Sequence, residues 1–336
     1  MKQRIGHRWI VVMLAVAGLL AGCSDDMPDT SAEANEIRFR ADVWRVMEGT
    51  RATTFDNAAA LQSEGSFTAT VYTENTTTQY VSTTAVDWNG STSKWEFASG
   101  KHYWPMSGAL DFFAYMPAAA TLSTDAPYIY ISSSLSLAYT VIDTDDDDIP
   151  DTQQTSFSCS SLPMTHSGQS AAVKEFVYAM LPGRTKALDG ASGVTLTFKH
   201  PFARINFKLA ASHPDITINS ITLKNLKNNG SYVDNSTTTT WTPSGDNIDF
   251  VATYNQAFTK DASAQTIGVP YLMVPQSFAG GIEVDATWKE WDEDIHRTVT
   301  ATLPVVTWQA GYSYTYTFTI TENDLKVSTE KYTEQW

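Results

Sequence analysis

The sequence predicts an all-β protein with two tandem β-sandwich domains, and three observations carry that prediction. The chain downstream of residue 51 is rich in Thr, Ser, Tyr and Val and is punctuated at short intervals by Gly, Pro, Asn and Asp, with little helical periodicity. Near the end, Tyr312, Tyr314, Tyr316, Phe318 and Ile320 fall on one face while Ser313, Thr315, Thr317 and Thr319 fall on the other, the strict alternation of a half-buried strand. The length, 336 residues less a signal of 22, suits two domains of ordinary size.

Residues 1–22 read as a secretory signal. Lys2, Arg4 and Arg8 form a positive start, and Trp9 to Leu20 is an apolar run too short to span a bilayer as a mature helix. The run ends Leu20-Ala21-Gly22-Cys23, which resembles the lipobox of bacterial lipoproteins; that resemblance implies an acylated Cys23 at the mature N-terminus. Two or more acyl chains anchor a protein stably where one does not. Ser24-Asp25-Asp26 resembles the surface-export signals of Bacteroidetes lipoproteins, and the polar stretch to Asn35 reads as a tether.

Residues 23–51 hold the next signal. Ile37, Phe39, Ala41 and Val43 alternate with Arg38, Arg40, Asp42 and Trp44, as a strand with one buried face requires. Glu48-Gly49-Thr50 reads as an exposed turn, which leaves the Arg51-Ala52 bond open to an arginine-specific protease, with Arg40 and Arg45 as other sites. Burying Ile37, Phe39 and Val43 contributes about 1.5–3 kcal/mol each, a large share of the roughly 5–15 kcal/mol of a whole domain. A groove that lost this strand would expose apolar surface and unpaired backbone, and would have to be refilled.

The first sandwich is expected over 52–183. Its strands are Ser66 to Thr73, Gln79 to Trp88, Ser93 to Phe97, Leu110 to Tyr115, Tyr128 to Ile131 and Glu175 to Leu181. Pro182 to Gly190 reads as a linker, so the second sandwich is expected over 184–336. It opens with Val194 to Phe198 and Arg204 to Leu209. Ile216 and Ile218 are in phase, whereas Ile221 and Leu223 have slipped by one, which predicts a bulge near Asn219-Ser220. A tail from Leu325 to Trp336 closes the chain.

Four motifs in order carry a resemblance: Phe112-Phe113-Ala114-Tyr115-Met116-Pro117; Leu196-Thr197-Phe198-Lys199-His200 with Ala203-Arg204-Ile205; Tyr271-Leu272-Met273-Val274-Pro275-Gln276; and Trp308-Gln309-Ala310-Gly311-Tyr312-Ser313-Tyr314. Together, after a lipobox, they resemble the fimbrillin-like lipoproteins of Bacteroidia, subunits of type V pili. The resemblance implies two transthyretin-like β-sandwich domains and export to the outer-membrane surface as a lipidated precursor. It further implies removal of the first strand by an arginine-specific protease, and donor-strand exchange between subunits of a fimbria that supports adhesion. Carried onto this sequence, Cys23 takes the lipid, Arg51-Ala52 is the cut bond, and Ile37, Phe39, Ala41 and Val43 face inward on the expelled strand. Leu325, Val327 and Tyr332 lie on the donor tail. The partners implied are other fimbrillin subunits, the protease and the membrane.

Charge excludes one class of partner. The formal net charge of −15 becomes −18 once the three cations of the signal are removed, and such a surface repels nucleic acid. If Cys23 is acylated, Cys159 has no partner within the chain, so no internal disulfide is expected and Cys159 reads as a small buried residue. No cofactor is expected. Asp143, Asp145, Asp147 and Asp151 stand at calcium-loop spacing, but Asp146 and Asp148 occupy positions where a turn glycine is usual. A solvated acidic loop is the first reading and weak calcium binding the second.

No enzyme is expected. The six histidines lack ligand spacing, and neither a nucleophile motif nor a phosphate loop is present. Glu290 and Asp292 to Asp294 beside Trp288 and Trp291 read as a charged hairpin turn rather than a glycosidase pair. The alternative function is a monomeric glycan-binding surface lipoprotein, for which Trp88, Trp95, Trp104 and Trp241 would have to be exposed.

Overall fold

The computed structural model describes residues 35–43, 57–116, 136–142, 152–159, 165–167, 176–210, 215–235, 238–260, 263–290, 293–321 and 324–335. The expected strand at Tyr128 to Ile131 lies outside them. The architecture is all-β, with strands around two separate hydrophobic cores.

The first core is enclosed by one seven-stranded sheet in the order β10-β1-β4-β3-β2-β5-β9. Its strands are β1 (Phe39–Val43), β2 (Ser66–Thr73), β3 (Gln79–Asn89), β4 (Lys94–Phe97), β5 (Leu110–Met116), β9 (Val177–Arg184) and β10 (Val194–Phe198). The sheet curls until its ends meet. Tyr178 on β9 and Lys199 just past β10 exchange backbone hydrogen bonds of 3.2 and 2.7 Å. Phe39 therefore faces Phe67 and Phe112 across the core, with ring centroids 5.7 and 5.8 Å apart. Ahead of β2 lies a short helix, α1 (Ala58–Glu64), which the alternation gave no reason to expect. Asn57 Oδ1 accepts from the Ala60 amide at one end, and Gly65 closes the other at φ +84°, a left-handed turn that favours glycine.

The second core lies between two sheets. One is β14-β11-β19-β20, formed by β11 (Ala203–Leu209), β14 (Gln265–Met273), β19 (Tyr312–Thr321) and β20 (Asp324–Gln335). Facing it are β12 (Ile216–Asp234), β13 (Thr239–Phe258), β16 (Gly281–Glu290) and β17 (Glu293–Thr302), in the order β17-β16-β12-β13. The expected slip is present as a register shift between Ile218 and Ser220 against both neighbours of β12. Two further shifts follow on the β13 side, one of them at Asn225, whose φ is +62°. These bulges let one strand of 19 residues serve different partners along its length.

The expected domain limits need correction in two places. Pro182 to Gly190 is not a linker: β9 continues to Arg184, and a helical turn, α2 (Lys186–Asp189), follows. Gly183 sits at φ +66° and its amide donates to the buried Asp111 carboxylate at 2.8 Å, while Arg184 makes a two-pronged ion pair with Asp189. The Pro-Gly signal thus marks a tight strand end tied down by buried polar bonds. Because β10 lies in the first sheet, the divide falls between Phe198 and Ala203 rather than at 183/184.

The second correction concerns 52–183, expected to lie wholly in the first sandwich. β7 (Thr152–Cys159) pairs with the far end of β12, Cys159 standing opposite Gly230, and β6 (Ser136–Ile142) pairs with β7. β8 (Thr165–Ser167) runs parallel to β13. This stretch leaves the first sheet after β5, joins the second domain, and returns at β9. Residues 143–151 join the strands of the β6–β7 hairpin, whose last described pair is Ile142 opposite Thr152. A small ladder of β15 (Ser277–Phe278) and β18 (Val306–Thr307) completes the fold.

Candidate functional site: the seat of the first strand

β1 is the keystone of the first sheet. It pairs in parallel with β10 over five residues, from Phe39 opposite Val194 to Val43 opposite Phe198. On its other side a single antiparallel pair, Phe39 opposite Trp95, joins it to β4 among the described residues. Upstream of β1 the chain is held by the segment after β4. The Ile37 amide donates to the His102 carbonyl at 2.8 Å, the Trp104 amide donates to the Asn35 carbonyl at 2.9 Å, and Lys101 pairs with Glu36 at 3.0 Å.

Its inward face is the one read from the alternation. Ile37, Phe39 and Val43 are 3, 5 and 3% exposed, and Ala41 is partly buried against the same core. Phe39 packs edge-on against Phe67, Phe97 and Phe112, the Phe97 centroid being 4.9 Å away. The outward face is tied by Arg38, whose Nη2 donates to the carbonyls of Gly190 and Ala191 at 2.9 and 3.2 Å. Val194 donates its amide to the Arg38 carbonyl at 2.7 Å. This close approach explains Gly193, at φ +81°, where a Cβ would stand 3.2 Å from that carbonyl oxygen.

β20 is an edge strand of the second domain, hydrogen-bonded among the described residues to β19 alone. Leu325, opposite Ile320, is buried at 5% exposure, and Val327, opposite Phe318, is partly buried. Tyr332 stands opposite Ser313. Within the subunit this tail is therefore a docked strand rather than an independent segment.

Cys23, Arg51 and Ala52 lie outside the described residues, as do Asp143, Asp145, Asp147 and Asp151. Among the described residues no group of three or more His, Cys, Asp or Glu is placed to hold a metal ion, and no helix is long and apolar enough to cross a membrane.

Of the four tryptophans that the glycan-binding alternative needs exposed, two are buried and two are half-buried. Trp95 and Trp104 are 3 and 4% exposed, and Trp88 lies against Trp95. Trp241 packs on Phe202 and Tyr232 and donates its indole N–H to the Pro201 carbonyl. The hairpin expected around Glu290 is present as β16–β17, with Glu290 opposite Glu293.

A polar cluster that the sequence did not reveal locks the two domains beside this seat. Tyr178 donates to Asp234 Oδ2 at 2.6 Å and lies 2.7 Å from the Tyr232 hydroxyl, while Lys199 Nζ stands 2.8 Å from the same carboxylate oxygen. Asp234 is 1% exposed, so Lys199 cancels a charge that would otherwise be costly to bury. Burial, reinforced by Tyr232 and Asp234, holds the Tyr178 phenol well above its ordinary value; burial also raises Tyr232. Lys199 directly follows β10, so the lock fixes the strand on which β1 rests. Alternation showed Tyr178 and Tyr232 only as strand residues, since period two gives a face and never a partner.

Comparison with known proteins agrees with this architecture. A fimbrial protein from Bacteroides vulgatus superposes with a TM-score of 0.59 at 14% identity, covering 89% of this chain and 98% of that one. At that identity the likeness speaks for the fold. The tip fimbrial protein Mfa3 from Porphyromonas gingivalis, C-terminally truncated, gives a TM-score of 0.41 at 12% identity, over 90% of this chain and 100% of that one. No curated protein matches the chain. A model of the fimbrillin-like family matches residues 50–336, a span that begins just downstream of β1 and takes in every other strand of both domains, and the chain belongs to that family.

Proposed function

We propose that this protein is a structural subunit of a cell-surface fimbria that assembles by strand exchange and supports adhesion. It is exported as a lipoprotein, held at the outer membrane through Cys23, and matured by cleavage at Arg51-Ala52. Cleavage severs β1 from the body, β1 leaves, and a strand from a neighbouring subunit takes its seat. The observation that carries this reading is the position of β1: a short strand, buried on one face, that completes the sheet between β10 and β4 and is followed within a few residues by an arginine.

The chemistry is β-augmentation. Backbone hydrogen bonds along β10 supply affinity, and the side chains entering the core select the strand. A groove on one subunit filled by a strand of the next is a head-to-tail contact, which extends as an open filament. Nothing in this requires a catalytic group. Burial takes Trp95 and Trp104 out of the glycan-binding alternative, while Trp88 and Trp241 are half-buried against neighbouring rings.

The test uses soluble precursor, residues 24–336, treated with an arginine-specific protease under native conditions while N-terminal sequence and size are followed together. A new N-terminus at Ala52 followed by denaturant-resistant oligomers is the expected result. A cut at Arg51 that leaves a stable monomer overturns strand exchange.

A further inference from the structure

Among the described residues, the stretch 101–107 between β4 and β5 has one strand partner, and it is the segment that cleavage would discard. Glu36 stands opposite Tyr103 in an antiparallel bridge. The Ile37 amide donates to the His102 carbonyl at 2.8 Å and the Trp104 amide to the Asn35 carbonyl at 2.9 Å; among the described residues, the backbone of 102–107 makes no other bond to backbone. Lys101 adds its ion pair with Glu36 on the outer face.

Both flanks of the stretch are turning points. Gly100 and Gly108 sit at φ +98° and +87°, the left-handed region that favours glycine, and a Cβ built on either would meet nothing within 4 Å. No neighbour crowds these two positions, so the backbone is free to pivot there. Past Trp104 the chain arches through solvent, with Met106 fully exposed and Ser107 exposed as well.

Trp104 decides whether the stretch lies down. Its ring is 4% exposed, belongs to the same core as Ile37, and sits 5.9 Å from Phe112. Its indole N–H, however, is buried without an acceptor among the described residues, a penalty that water would relieve. With residues 35–37 in place, two backbone bonds and the packing of Ile37 outweigh that penalty. Without them, the Trp104 amide and the His102 carbonyl lose their partners, and the tie from the Tyr80 hydroxyl to the Tyr103 carbonyl, 2.8 Å and exposed, remains.

We propose that residues 101–107 are a strap over one end of the seat: residues 35–37 hold it shut, it swings out about Gly100 and Gly108 when β1 leaves, and it shuts again on the strand that follows. This rests on the strand-exchange reading above and adds to it a moving part of the accepting subunit. The open strap widens the end of the seat beside Phe112. An entering strand meets there the amide and carbonyl that residues 35–37 had used, and pairing with them draws the strap closed.

Pulsed hydrogen exchange during digestion tests this. Soluble precursor, residues 24–336, is cut with the arginine-specific protease, and size and release of the N-terminal fragment are read alongside exchange in peptides covering 99–109. The expected course is slow exchange in the precursor, exchange at least about tenfold faster in cut monomers that have lost the fragment, and slow exchange again in oligomers, while β5 stays protected throughout. Cut monomers that have lost the fragment yet still protect 101–107 overturn the strap and leave strand exchange standing, as do oligomers in which the stretch stays open. A fragment that remains bound overturns both. As a second measurement, Lys101→Glu sets a carboxylate against Glu36 and is expected to speed exchange of 101–107 several-fold in uncut precursor at low salt, with no effect in cut monomers, where Glu36 is gone. No change in the precursor, or an equal change in both, overturns residues 35–37 as the clasp.

Discussion

Phe39→Ala separates a strand that merely stabilises the fold from one that is later discarded. Phe39 is 5% exposed and touches three aromatic rings. Truncating a core phenylalanine costs about 3–5 kcal/mol through lost transfer energy and the cavity left behind. The edge-on ring contacts, about 0.5–1.5 kcal/mol each, place this site in the upper half of that range. The precursor is therefore expected to lose about 4 kcal/mol in urea unfolding monitored by tryptophan fluorescence. If β1 leaves on maturation, the assembled product has no Phe39 in its core, and its resistance to denaturant should equal that of the parent. Release of the cut strand should also accelerate: at about 1.4 kcal/mol per factor of ten, 4 kcal/mol is roughly a 700-fold faster departure. Light scattering after protease addition would register this as loss of the lag. Equal destabilisation of precursor and assembled product would refute the reasoning, because it would mean that β1 stays. Phe39→Leu provides a milder version should the alanine variant express poorly.

Three further outcomes follow from the packing. Asp234→Ala removes the carboxylate shared by Tyr178 and Lys199 and is expected to cost about 3 kcal/mol, the low end for breaking a buried pair because the Lys199 side chain is about one-third exposed; chemical unfolding with probes in each domain should show both transitions lowered. Alkaline pH should weaken the fold: burial pushes the Tyr271 phenol up to about 12 from 10, so its stabilising effect is complete below pH 10 and is lost as pH rises from 10 through about 12. Thermal melts between pH 8 and 11 should show that fall, with a shallower slope in Tyr271→Phe. Gly280→Ala would drive a Cβ into the Lys224 carbonyl oxygen, so backbone must move, at a cost of about 1–3 kcal/mol in urea unfolding.

Alternation made the half-buried strands legible and left the rest obscure for identifiable reasons. Tyr312 to Ile320, Ser66 to Thr73 and the face of Ile37, Phe39 and Val43 were readable because apolar side chains recur at every second position and enter a core; in Ser66 to Thr73 the intervening Thr68 and Thr70 are buried as well. β13 was not, because Thr239 to Asp249 extends past the core and is mostly exposed, so no apolar phase marks it. β14 was hidden by Gly268 and Pro270, which sit where its register against β11 shifts; an edge strand tolerates them and a central strand would not. The crossing of β6, β7 and β8 to the other domain's sheet was beyond reach, since a strand's pattern names its buried face and not its neighbour. At the candidate site, the buried face of β1 was legible, whereas its parallel partner 155 positions along the chain was not.

That parallel pairing also orders events in time. β1 is made early, yet the strand it lies along, Val194 to Phe198, comes 155 positions later. Contacts so distant in sequence form late, because the loop between them must close first. During folding the first domain therefore passes through a stage in which every other strand of its sheet can be present while the keystone is still loose. In the newborn subunit that stage ends when its own β1 arrives. A chain stalled there has an unfilled seat beside β10, and covalent connection gives the chain's own strand the advantage of proximity over any competitor.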